Sequence, residues 1–272
     1  MGCYITFAGV LVWLGVSVCA AQPVGRILGG SEAKPHLRPY MASLHVDGKH
    51  LCGGFLIAEE WVLSAAHCAP EKNNATFQVL LGAHSLSEQE PSKQFYQVLK
   101  YFIHPEYNDT ETHNDLLLLK LKENAALSQE VQILPFQTMD RDLPAGMLCS
   151  VAGWGQTSLT GKHPDKLQEV TVVVISRETC NQRDHYDNEI TENMICAGAR
   201  RKDSCEGDSG GPLVCDGIAE GVVSTGYRKC GNIKKPGIYT RISAYVPWIN
   251  STMQAASKEE GESTGSKETA SQ

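Results

Sequence analysis

Twelve short apolar runs, with no long helical period between them, restrict this 272-residue chain more than any other feature. The first six are Met41 to Val46, His50 to Ile57, Trp61 to Ser64, Phe77 to Leu81, Gln94 to Tyr101 and Leu116 to Leu121. They are rich in Val, Leu, Ile and Phe, and turn signals such as Asp47-Gly48 and Gly53-Gly54 separate them, as expected of strands. A second group follows: Met147 to Gly153, Leu167 to Ile175, Met194 to Ala197, Pro212 to Cys215, Ala219 to Ser224 and Gly237 to Thr240. Two sets of six predict an all-β fold of two six-stranded antiparallel β-barrels, over about residues 27–140 and 141–243, with the site in the cleft between them. Ala244 to Met253 predicts a closing helix, with Pro247 in its first turn and Val246, Trp248 and Ile249 as anchors. Residues 254–272 are polar and charged, with no large apolar side chain, so a disordered tail is expected there.

Of ten cysteines, Cys3 and Cys19 lie in an N-terminal apolar segment, leaving an even set of eight. Residues 1–20 carry the apolar run Ile5 to Val18, followed by the small residues Cys19-Ala20-Ala21, and read as a cleaved signal peptide. A membrane anchor would need about 20 apolar residues and suitable flanks, so no membrane attachment is expected. Eight cysteines in a secreted, extracellular chain imply four bridges, drawn from 105 possible pairings. No C-x-x-C spacing points to a metal. The net charge of −7 speaks against a general nucleic-acid binder. Three sequons, at Asn74, Asn108 and Asn250, are candidates for glycosylation.

The stretch Asp203-Ser-Cys-Glu-Gly-Asp-Ser-Gly-Gly-Pro212 concentrates the chemistry. A serine hydroxyl is a poor nucleophile at neutral pH and needs a neighbouring base, while the oxyanion that it creates needs N–H donors already aimed at it. Ser209 is the candidate nucleophile, and the N–H groups of Gly207 and Ser209 are the candidate oxyanion donors. A Gly-rich surface turn would have the same composition. Two other stretches argue against that bland reading. Ser64-Ala-Ala-His-Cys68 offers His67, and Asp115 heads the apolar run Leu116 to Leu119, where an acid is otherwise out of place. A histidine takes the serine proton when a buried carboxylate holds its other ring nitrogen.

At these residues the chain resembles trypsin/chymotrypsin-type serine endopeptidases. Ile27-Leu-Gly-Gly30, Ser64 to Cys68, Asp115-Leu-Leu-Leu118, Gly153-Trp-Gly155, Gly207 to Pro212 and Pro236-Gly-Ile-Tyr-Thr240 match that family in order, over roughly residues 27 to 250. The resemblance implies a catalytic triad of His67, Asp115 and Ser209. It implies the bridges Cys52–Cys68, Cys149–Cys215, Cys180–Cys196 and Cys205–Cys230, no cofactor, and a monomer acting on protein substrates. It also makes residues 21–26 a pro-segment: an activating protease cuts after Arg26, and the freed ammonium of Ile27 pairs with Asp208. Asp203 becomes the floor of the pocket for the residue before the scissile bond, selecting Arg or Lys, with Gly226 and Gly237 as open walls. The chain departs from ordinary trypsins at Ser224-Thr225-Gly226, where an indole is missing. Thr225 and Arg228 are therefore candidates for a self-inhibited pocket in which Arg228 competes for Asp203. Ala83 and Lys93 stand where trypsins have calcium ligands, so no calcium is expected.

Overall fold

A computed structural model describes residues 29–71, 75–110, 113–157, 163–200, 203–225 and 230–268. After a two-residue strand β1 (Ser31–Glu32), strands β2 (Met41–Val46), β3 (Lys49–Ala58), β4 (Trp61–Ser64), β5 (Phe77–Leu81), β6 (Gln94–Ile103) and β7 (Leu117–Leu121) build the first half. They close into an antiparallel barrel in the order β2-β3-β4-β7-β6-β5. The second half holds β8 (Leu148–Gly153), β9 (Gln168–Ile175), a one-turn helix α1 (Arg177–Cys180), β10 (Met194–Gly198), β11 (Pro212–Cys215), β12 (Ile218–Thr225) and β13 (Gly237–Arg241). Its sheet runs β1-β9-β10-β13-β12-β11-β8, and a β8–β9 pairing closes six of these strands into the second barrel. The strand at β1 was not expected; it adds to the edge of β9 through Ser31 opposite Glu169.

Strand alternation explains the packing. Along β9 every second side chain is buried, from Gln168 through Val170, Val172 and Val174, as a pleated strand with one face on a core requires. β7 is buried throughout: Leu117, Leu119 and Leu121 take one face, Leu118 and Lys120 the other. Lys120 is covered by Trp61, with its ammonium 5.8 Å from the ring centre and 3.7 Å from Glu60. The first core gathers Leu44, Phe55, Leu63 and Leu119, and it also takes Ile249 and Ala256 from the C-terminal helix. The second gathers Val151, Val172, Leu213 and Tyr239. Between the barrels lies a smaller cluster of Met41, Leu80, Ala152 and Trp154.

One expectation is corrected. Helix α2 runs Val246–Glu268, so the stretch after Met253, expected to be disordered, is helical as far as Glu268. No proline interrupts it, Gln254, Ala255 and Ala256 are good helix formers, and Ala256 is buried against the first core. Lys100 then pairs with Glu259 at 2.9 Å. Among the described residues no helix is long and apolar enough to cross a membrane. The signal peptide, Arg26, Ile27, Asn74, Gly226 and Arg228 lie outside the described residues. Asn108 and Asn250 are exposed.

Candidate active site

His67 sits in a short 3-10 turn, Ala66–Cys68, that leaves β4 and is tied to β3 by the bridge Cys52–Cys68. Asp115 lies just ahead of β7. Before it, Asn114 takes a left-handed backbone at φ 54°, a conformation Asn tolerates, and its side chain is held by the hydroxyl of Tyr245 and the carbonyl of Glu106. The two candidate residues therefore meet at adjoining ends of β4 and β7, which pair antiparallel. The backbone N–H of His67 donates to Asp115 Oδ1 at 3.0 Å, and Nδ1 lies 2.8 Å from Oδ2. An ionised carboxylate only accepts, so Nδ1 is the donor in this contact. The side chain of Asp115 is fully buried, whereas that of His67 is 34% exposed. The hydroxyl of Ser224 donates a third bond to Asp115, 2.5 Å from Oδ2.

Ser209 approaches from the second barrel on a turn over Cys205 to Gly211. The N–H of Asp208 donates to the carbonyl of Cys205 and that of Gly211 to the carbonyl of Asp208. The turn is stitched to both barrels: the N–H of Gly210 donates to Val223 O at 2.7 Å, and the N–H of Gly53 on β3 donates to Ser209 O at 2.8 Å. Gly210 has φ 81°, and a Cβ there would lie 2.1 Å from Ser64 Oγ, so the turn needs glycine on both counts. The N–H groups of Gly207 and Ser209 have no protein acceptor among the described residues. Ser209 Oγ and His67 share the cleft without a direct hydrogen bond. Triads without substrate are commonly looser and tighten in the reacting complex.

Sequence reasoning missed what holds the oxyanion turn from the first barrel. His50 Nε2 lies 3.2 Å from the carbonyl of Gly207 and can only donate to it, which leaves Nδ1 to accept from Ser43 at 2.7 Å. Burial lowers the His50 pKa to about 4, so the ring is neutral and the relay is set in one tautomer. No spacing pattern links residues 157 positions apart, and no sequence signal marked the pair.

Two buried acids flank the turn. Asp208 is fully buried and accepts from the N–H of Gly155 at 2.8 Å and of Cys205 at 2.9 Å; burial pushes its pKa up to about 7. Gly153 and Gly155 leave the room it occupies, since a Cβ on either would fall 2.2 or 2.5 Å from its carboxyl group. Asp203 lines the cleft near the bridge Cys205–Cys230. One oxygen takes the N–H of Gly231 at 2.9 Å, and the other is buried with no partner among the described residues. Burial raises the Asp203 pKa to about 6, against the opposing pull of nearby N–H groups of Gly231, Ser204 and Gly237. A Cβ on Gly237 would stand 2.7 Å from the unpartnered oxygen, which places that glycine at the wall beside it. Thr225 ends β12 at the cleft.

The four bridges are the ones the resemblance implies. Cys52, His67 and Cys68 cluster as metal ligands would, yet both sulfurs are in a disulfide and offer no thiolate. At the loop where trypsins bind calcium, the Lys93 ammonium donates to the carbonyls of Leu86 at 3.1 Å and Glu88. A cation of the chain's own thus meets those oxygens.

Residues 27–249 match the protein family described as Trypsin. The chain is 43% identical to chymase of Papio hamadryas over 244 residues, covering 88% of this chain and 95% of that one. It is 46% identical to mast cell protease 3 of Ovis aries over 239 residues, covering 86% and 92%. Duodenase-1 of Bos taurus is also 46% identical over 235 residues, 85% of this chain and 90% of the other. Among solved structures, neuropsin, a serine protease expressed in the limbic system of mouse brain, superposes with a TM-score of 0.77 at 39% identity, over 84% of this chain and all of that one. Two closed barrels, the cleft between them and this breadth of similarity agree: the chain belongs to the trypsin family and is a serine endopeptidase.

Proposed function

We propose that the enzyme cleaves proteins after arginine or lysine by way of an acyl-enzyme. The carrying observation is Asp203: a carboxylate that is 2% exposed, lines the cleft and keeps one oxygen unpartnered among the described residues. A desolvated carboxylate of this kind selects a cationic side chain, and Arg can meet it through two parallel bonds. Ser209 attacks the scissile carbonyl, His67 Nε2 takes its proton and passes it to the leaving amine, and Asp115 orients the imidazole. The N–H groups of Gly207 and Ser209 receive the oxyanion, each donor lowering the barrier by about 2.7–4 kcal/mol. Cleavage after Arg26 frees Ile27 to pair with Asp208, a fully buried carboxyl whose pKa burial raises. The secreted enzyme works as a monomer, carries sugars at Asn74, Asn108 and Asn250, and has a resting pocket in which Arg228, helped by Thr225, competes with substrate for Asp203.

The test is peptide hydrolysis by the processed enzyme and by Asp203→Asn. Losing one partner of a desolvated pair costs about 3–5 kcal/mol, so kcat/KM for an arginine substrate should fall at least a hundredfold. Equal turnover of arginine and phenylalanine substrates by the parent enzyme would reject the assignment.

Two physiological tasks are supported by different observations. Arg38-Pro-Tyr-Met-Ala-Ser43, Leu80 to Ser87 and Lys234-Lys-Pro-Gly-Ile-Tyr-Thr-Arg241 resemble complement factor D, whose substrate is complement factor B bound to the activated third component. The similarity to mast cell protease 3 and duodenase favours a granule protease instead. Incubation with factor B, with and without its activated partner, separates them: partner-dependent cleavage after an arginine supports the first, and brisk hydrolysis of small peptides with factor B untouched supports the second.

A further inference from the structure

Beyond Asp203, the described lining of the cleft carries two more carboxylates and neither lysine nor arginine. Glu206 is exposed on the rim beside Gly207, and its carboxylate takes the amide of Gln156 at 2.6 Å. Asp109 is exposed on the opposite, first-barrel wall, two residues after Tyr107, which also lines the cleft. Burial first, then the charges of Asp115 and Asp109, lift the Tyr107 pKa to about 12. Asp109 accepts a long contact from its neighbour Thr110, at 3.3 Å. A row of exposed acids alone would be ordinary surface. In the same cleft Asp203 has a buried oxygen that is unpartnered among the described residues, a second feature suited to a cation at the end of the row.

A substrate lying extended in the cleft alternates its side chains between the two walls. If the residue before the scissile bond enters the second barrel toward Asp203, the residue preceding it faces the first-barrel wall that holds His67, Tyr107 and Asp109. We propose that Asp109 selects a second basic residue at that preceding position, so that the preferred substrates are segments with two adjacent basic residues. Glu206 reinforces the preference by adding a second negative charge to the described rim, which raises the local concentration of cationic segments. The inference rests on the reading of Asp203 as the selector of the cleaved residue, and it adds to that reading the class of sequence recognised.

The experiment compares peptides with arginine fixed at the cleaved position and Arg, Ala or Glu immediately before it, hydrolysed by the processed enzyme, Asp109→Asn and Glu206→Gln. An exposed ion pair is worth about two- to fivefold in rate, so Arg should exceed Ala by that factor and Ala should exceed Glu by a similar one. The ratio should shrink as salt rises from 0.02 to 0.5 M, by about the factor that screening removes. In Asp109→Asn the Arg-to-Glu ratio should fall to within about twofold, and Glu206→Gln should lower it less. Because the readout is a ratio within each enzyme, a general loss of folding or activity leaves it unmoved. An undiminished ratio in Asp109→Asn, no preference in the parent enzyme, or a loss confined to Glu206→Gln overturns the assignment. Failure to cleave any arginine peptide would instead strike the reading of Asp203.

Discussion

Replacing Asp208 with Asn in the uncleaved chain should change how stability responds to pH. The group is fully buried, and burial raises its pKa from the ordinary 3.8 to about 7. Below about pH 4 both folded and unfolded chains hold the proton, and the folded state pays nothing for burying a charge. Between pH 4 and 7 the unfolded chain has released the proton and the folded one retains it, so stability falls by about 1.4 kcal/mol per pH unit from this group. Across about three units the loss reaches about 4 kcal/mol, complete above pH 7. Asn carries no such charge, yet it has one oxygen to offer where the carboxylate accepts from both Gly155 and Cys205. One N–H loses its acceptor, at about 1–3 kcal/mol independent of pH. Asp208→Asn should therefore be the less stable protein at pH 4 and the more stable one at pH 8, by about 1–3 kcal/mol. Urea unfolding followed by fluorescence from pH 4 to 8, in an uncleaved Ser209→Ala background to prevent self-digestion, reads the crossing. Parallel pH curves for the two proteins would refute the argument. In the cleaved protein, an ammonium at Ile27 paired with Asp208 would hold the carboxyl ionised and reverse the fall.

Two further outcomes follow from close contacts. Gly155→Ala would place a Cβ 2.5 Å from the Asp208 carboxyl carbon and 2.6 Å from its backbone nitrogen, so the turn must shift; a loss of about 1–3 kcal/mol and a Tm lower by at least about 2 °C are expected in thermal unfolding. Ser224→Ala removes a charge-assisted donor from a buried carboxylate and should cost about 1.5–3 kcal/mol in urea unfolding at pH 7, where a change below 0.5 kcal/mol would deny the bond its weight.

The strand limits were legible because each strand spells them locally. Met41 to Val46, Trp61 to Ser64, Phe77 to Leu81 and Pro212 to Cys215 begin and end where the apolar runs do, and the other eight strands differ at their ends by only a residue or two where turns fray them. The C-terminal tail misled for the opposite reason. Its polarity argued for solvent, but Ala256, small enough to escape notice, is buried against the first core, and the helix that it anchors continues beyond the point where apolar residues stop.

At the site, short motifs were enough to single out His67, Asp115, Ser209 and Asp203 as candidates, since serine, histidine and aspartate are recognisable residue types. Their supports were not. Ser224 reaches Asp115 across 109 positions, and His50 reaches Gly207 across 157, each by one hydrogen bond that leaves no periodicity behind. By itself the sequence determined two β modules, an oxidised framework and a stock of reactive side chains, because these are set by alternation, cysteine number and local turn chemistry. Only the tertiary structure decided which bonds hold the turn at Ser209, how deeply Asp203 and Asp208 are buried, and that Asp109 shares a cleft with Asp203. Desolvation and direction exist only once distant strands have closed around the same few atoms.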